Sequence, residues 1–187
     1  PYDIALTYLR LPGDNEELRE GENETEEDID PFADINPTEL PAMNFRTEEF
    51  SIGEGNLGAW EFQLRSNTRG AMISNLSMLS PDAAITDLSG ESGATLDWDY
   101  SNGIHRSNFN GLFSAGDLGE VLPSFGYPAL LQSESASFVS NIDWEGSPAA
   151  FSMRKIRGQI DVELSNGRFV EIEPGSARLF GAFNFDA

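Results

Sequence analysis

The chain has 187 residues and no cysteine, which excludes a disulfide framework, a thiolate metal site and a cysteine nucleophile. Its 32 acidic against 11 basic residues give a formal charge of −21, which argues against nucleic acid and against electrostatic docking on an anionic membrane surface. The hydrophobic fraction is 39% and includes 13 Phe, 4 Tyr and 3 Trp, rings that favour strands, and no apolar run is long enough to span a bilayer as a helix.

Tyr2, Ile4, Leu6 and Tyr8 alternate with Asp3, Ala5 and Thr7, the period of a strand, and Pro12-Gly13 ends it. Eleven acidic residues then lie between Asp14 and Asp34 with Arg19 as their only basic neighbour. Low apolar content and high net charge make residues 13–36 an acidic flexible loop inserted in the fold. Asp28, Asp30 and Asp34 offer oxygen ligands, but their spacing lacks the glycine and terminal glutamate of a calcium loop, so solvated charge is the expectation and no metal is assigned. Asp30-Pro31 through Leu40-Pro41 is turn-rich and returns the chain from the excursion.

Strands follow in quick succession. Phe45 to Thr47 and Phe50 to Ile52 are short fragments, and Gly53-Glu54-Gly55 is a turn. Trp60, Phe62 and Leu64 share one face of the next strand, with Glu61, Gln63 and Arg65 on the other. In Ala71–Leu79 the pattern places Met72, Leu76 and Met78 together. Leu96, Trp98 and Tyr100 alternate with Thr95, Asp97 and Asp99; Ser101-Asn102-Gly103 turns, and Phe109, Gly111 and Phe113 share a face on the return.

Leu118, Val121, Leu122 and Phe125 fall at i, i+3, i+4 and i+7, one face of a short helix, with Asp117 and Glu120 as a capping-box-like start and Gly126 and Pro128 as its end. Phe138, Ser140, Ile142 and Trp144 share a strand face, Gly146-Ser147-Pro148 turns, and a long strand is expected from Ala149. Ile160, Val162 and Leu164 then alternate with Asp161, Glu163 and Ser165, and Asn166-Gly167 predicts a tight hairpin returning through Phe169, Val170 and Ile172. Pro174-Gly175 stops that strand, and Ser176 caps a second short helix with Leu179, Phe180 and Phe183 on its apolar side. Pro1 is no initiator methionine and the chain stops just after an apolar segment, as expected of a piece of a longer protein.

The pattern is mainly β: a mostly antiparallel, meander-like sheet with two short helices, each strand carrying one aromatic and one polar face. That aromatic face must be covered by a second sheet, by its own curl, by a helix or by a ligand. Catalytic chemistry is missing. His105 is the only histidine, there is no nucleophile elbow and no phosphate-binding glycine loop, and Asp97 and Asp99 flank Trp98 as an ordinary solvated strand face would. No enzyme and no cofactor is expected; a glycan-active site on Trp98, Asp97 and Asp99 is the weakest alternative.

The string GRFVEIEPGSARLFG, from Gly167 to Gly181, resembles the C-terminal signature of the YhdP-type AsmA-like periplasmic proteins. Phe109-Asn110-Gly111-Leu112-Phe113-Ser114 with Gly116-Asp117-Leu118-Gly119 is similar to a strand-into-helix segment of that family, and Phe125-Gly126-Tyr127 to its continuation. Ile142-Asp143-Trp144-Glu145-Gly146-Ser147-Pro148 is similar to its W-x-G-x-P turn, and Tyr8-Leu9-Arg10-Leu11-Pro12, Asp30-Pro31, Leu40-Pro41 and Leu57-Gly58-Ala59-Trp60 follow in its order. The acidic run after Pro12 is the main departure.

The resemblance implies that residues 1–187 are one C-terminal segment of a larger periplasmic protein anchored in the inner membrane. It implies a curled β-sheet forming an open groove that shields phospholipid acyl chains between the inner and outer membranes. The apolar contacts would then be Trp60, Phe62, Leu64, Leu96, Trp98, Tyr100, Phe109, Phe113, Phe138, Ile142, Trp144, Ile160, Val162 and Leu164. Arg168 and Arg178 would meet head groups, their bland alternative being pairing with Glu163, Glu171 and Glu173. The expected partners are phospholipid and, near the C-terminal end, the outer membrane; the segment itself is expected to be monomeric. The competing reading is a closed β-sandwich module that docks a protein partner.

Overall fold

The computed structural model describes residues 1–11, 30–52, 55–125, 129–151 and 155–169. Most of the acidic run, Val170 and Ile172 of the expected hairpin return, Arg178, and the second helix on Leu179, Phe180 and Phe183 lie outside them. The described strands are β1 (Tyr2–Leu11), β2 (Met43–Ile52), β3 (Gly55–Asn56), β4 (Ala59–Asn67), β5 (Gly70–Leu79), β6 (Ala83–Thr86), β7 (Ala94–Ser101), β8 (Ile104–Ala115), β9 (Leu131–Gln132), β10 (Ser135–Glu145), β11 (Arg157–Ser165) and β12 (Arg168–Phe169). Ten of them form one sheet in the order β1-β2-β4-β5-β6-β8-β10-β11, with β3 on β2 and β7 between β5 and β8. β6 and β7 thus share one slot, β6 pairing the Ala83–Thr86 end of it and β7 the rest.

The sheet is antiparallel except at β1, which runs parallel to β2 with Ile4 beside Phe45. Alternation puts the apolar residues on one face, as the sequence predicts: Phe45 faces Phe62, Leu64 faces Ile73, Leu96 faces Phe109, and Phe113 faces Phe138. The sheet curls over this face without closing into a barrel.

Three details differ from the sequence reading. Asn75, at φ 52°, sits where the registers of β5 with β4 and with β7 both shift, a bulge that changes the phase of the strand. Ala71, Ile73, Leu76 and Met78 therefore face inward, while Met72 lies on the other face and is exposed. The expected long strand from Ala149 starts only at Arg157, because Ser147 caps a 3-10 turn over Pro148–Ala150. Asn166-Gly167 does turn the chain, with Asn166 at φ 49°, but β12 pairs with β9 rather than folding back on β11.

Of the two expected helices, the first is present in shortened form. α1 (Leu118–Val121) is one turn, N-capped by Asp117, whose carboxylate accepts from Gly119 N–H at 2.8 Å, and it continues as a 3-10 turn over Leu122–Phe125.

Candidate functional site

The apolar inner face is covered by two different devices. At one end of the strands, residues 30–42 form a strap whose Ile35 and Leu40 pack on Leu64, Ala71, Leu96, Trp98, Ile142 and Trp144. Pro37 of the strap is fully buried, and the Phe32 ring lies 6.1 Å from that of Trp98. At the other end, α1 and its 3-10 extension supply Leu118, Val121, Leu122 and Phe125, which pack with Met78, Ala83, Ala115 and Ala136. Phe125 meets the edge of Phe113 at 5.8 Å.

The polar ties beneath the strap are few and specific. Trp98 Nε1–H donates to His105 Nδ1 at 3.0 Å, so that nitrogen is unprotonated, and Nε2–H donates to the Ala33 carbonyl at 2.9 Å. Trp144 Nε1–H donates to the Ser147 carbonyl at 2.8 Å. Asp30 receives Ser147 N–H at 2.7 Å and the Ser147 hydroxyl at 2.5 Å. Burial pushes the Asp30 carboxyl up, but the hydrogen bonds from the Ser147 hydroxyl and N–H and from the Phe32 N–H outweigh it and hold it below its ordinary value. Residues 30–36, placed in the acidic loop on composition, are thus part of the docked strap.

The fourteen apolar positions singled out from the sequence do all lie on the inner face, but in three environments. Leu64, Leu96, Trp98, Ile142 and Trp144 are buried under the strap. Trp60, Phe62, Tyr100, Phe109, Phe113 and Phe138 are half-buried. Ile160, Val162 and Leu164, on β11 in register with Ser140, Phe138 and Ala136, are 36%, 53% and 38% exposed, and no other element covers them among the described residues. Arg168 is exposed and its guanidinium donates to Gln132 Oε1 at 2.8 and 2.6 Å, while Glu171 and Glu173 lie outside the described residues.

The opposite edge of the sheet is similar. Tyr2 and Ile4 of β1 carry the inner face outward at 67% and 37% exposure. A cleft of about 720 Å³ runs along Ile4, Phe45 and Phe62 and their strand neighbours, bounded by residues 91–93. Sequence reasoning missed the strap and these β1 positions, although Phe32, Ile35, Pro37 and Leu40 were a visible apolar signal directly after the acidic run.

Among the described residues no cluster of three or more His, Asp or Glu fits a metal ion, and no helix is long and apolar enough to cross a membrane. Asp97 and Asp99 lie on the face opposite Trp98, and Asp99 is 3.8 Å from Arg69 Nε.

Among the described residues, a single curled sheet, its apolar face covered by a strap and a helix in the middle and uncovered at both edge strands, defines a groove-type β protein that is not a closed barrel. The family model described as YhdP protein matches residues 1–187, and the chain belongs to the YhdP family of AsmA-like, envelope-associated proteins. That family is not known as enzymatic. No curated protein and no solved structure matches the chain.

Proposed function

We propose that this chain is a non-enzymatic segment of a lipid-conducting periplasmic protein, and that its inner face shields phospholipid acyl chains on their way between inner and outer membranes. The observation that carries the reading is the uncovered row Ile160, Val162 and Leu164, which continues the half-buried Phe138 and Phe113 without a break in register. Each CH₂ taken from water is worth roughly 0.8 kcal/mol, so covering a chain of about 15 carbons supplies on the order of 10 kcal/mol. An open side lets the tail be covered while the head group stays hydrated, which avoids the penalty of burying a charged phosphate. Arg168 and Arg178 remain the proposed head-group contacts, and membership of the YhdP family supports the whole assignment.

The experiment is native mass spectrometry with lipid extraction on the purified chain, compared with Val162→Asp. Val162 is more than half exposed, so a carboxylate there leaves the core intact. Phospholipid bound by the parent chain and lost from V162D, at unchanged β-sheet circular dichroism, supports the reading. A lipid-free, folded parent chain refutes it and favours a structural module.

A further inference from the structure

The strap and the floor beneath it are held in different ways. Trp98 and Trp144 satisfy their indole N–H groups on His105 and Ser147, so the floor keeps its hydrogen bonds whether or not the strap is seated. Where the strap runs into β2, its Ala42 carbonyl accepts Tyr2 N–H at 2.7 Å; over its floor, among the described residues, it is tied at three points: Asp30 on Ser147, the Ala33 carbonyl on His105, and the carbonyls of Pro37 and Leu40 sharing the Ser66 hydroxyl at 2.8 and 2.7 Å. Ala33 is exposed, whereas Asp30 and Leu40 are half-buried and Pro37 is fully buried, so water takes over all three ties only once the strap has lifted. What the strap inserts is a short apolar run, Phe32, Ile35, Pro37 and Leu40, against indole and aliphatic side chains. A flexible hydrocarbon chain offers the same kind of surface.

We propose that the strap is a lid seated in an acyl-chain subsite floored by Leu96, Trp98, Ile142 and Trp144. A lipid chain takes its place when the Asp30–Ser147 latch lets go. The inference rests on the acyl-shielding reading above and adds to it a gated site and the pair of residues that gates it. With the lid down, a lipid tail reaches the β11 row but not the two tryptophans. With the lid up, the apolar face is continuous from the β11 row to Leu64 on β4.

The absence of cysteine from the chain makes the test clean. In a Trp60→Phe background the only indoles are Trp98 and Trp144, both under the strap. The chain carrying Asp30→Cys and Ser147→Cys is mixed with phosphatidylethanolamine vesicles whose acyl chains are brominated, and indole quenching is read oxidised and then reduced, with bound lipid counted by native mass spectrometry. The expected result is bound lipid in both states and quenching only after reduction. Asp30→Asn, which weakens the latch at nearly constant volume, should raise quenching above that of the W60F chain without needing a disulfide. Lipid bound with equal quenching in oxidised and reduced chains, or bound with no quenching in any variant, overturns the lid while leaving the acyl-shielding reading intact. No lipid bound to any variant overturns both.

Discussion

His105→Phe isolates the polar cost of the buried ring at nearly constant shape. The imidazole lies 4.7 Å from the Tyr100 ring and 5.8 Å from the Trp98 ring, contacts that a phenyl ring keeps. What it removes is the acceptor for Trp98 Nε1–H and the donor to the Ala33 carbonyl. Trp98 is only 4% exposed, so its indole N–H is left without a partner and carries a penalty of about 1–3 kcal/mol. Ala33 is exposed and water can replace its lost bond, which adds at most about 0.5–1 kcal/mol. The sum, about 1–4 kcal/mol, lowers the melting temperature of a chain of this length by roughly 2–16 °C. Thermal unfolding followed by far-ultraviolet circular dichroism measures it, and His105→Gln, which offers an acceptor and a donor, should recover part of the loss. An H105F chain as stable as the parent would show that the Trp98–His105–Ala33 chain of bonds contributes nothing net.

Gly111 is a second sensitive point: a methyl group there would lie 2.6 Å from Ala94 Cβ, 2.8 Å from Phe109 Cζ and 3.0 Å from the Thr86 carbonyl. Gly111→Ala should destabilise by about 1–3 kcal/mol in urea titrations, and Ala94→Gly in the same chain should return a part of it; a neutral G111A contradicts the packing. The Asp30 latch gives stability a defined acid limb. Its carboxyl titrates below the ordinary value of 3.8, so the unfolded chain binds its proton first, and the stabilisation is present above 3.8 and disappears as pH falls through the lower native value. Denaturation midpoints measured between about pH 5 and 2.5 should therefore fall less steeply for Asp30→Asn than for the parent chain, and parallel curves would remove the latch from the account.

The strand faces were legible because alternation is a local signal: Trp60-Phe62-Leu64, Leu96-Trp98-Tyr100 and Phe138-Ile142-Trp144 all fall where period two puts them. Asp117 as a helix cap was legible for the same reason, since its bond to Gly119 spans two residues. The failures are non-local or depend on backbone conformation. Asn75 at positive φ shifts the phase of β5, and nothing in Ser74-Asn75-Leu76 distinguishes a bulge from a polar interruption. The return after Asn166-Gly167 had two possible edges, and β9 lies 36 residues away from its partner Arg168. The strap was read as part of a flexible excursion because its anchor, Asp30 on Ser147, is a contact across 117 positions. Consequently five of the predicted lipid contacts are floor beneath a strap rather than open lining, a distinction no periodicity carries.

The parallel pairing of β1 with β2 has a consequence for how the chain tolerates change. Parallel neighbours cannot be joined by a tight turn, so everything from Leu11 to Met43 is a crossover, and the strap is its second half. Asp30 on Ser147 and the Pro37 and Leu40 carbonyls on Ser66 pin the strap at both ends of its apolar run, so the spacing between those anchors is fixed by the floor beneath. A single residue inserted between Asp30 and Pro37 would therefore slide the strap off its floor.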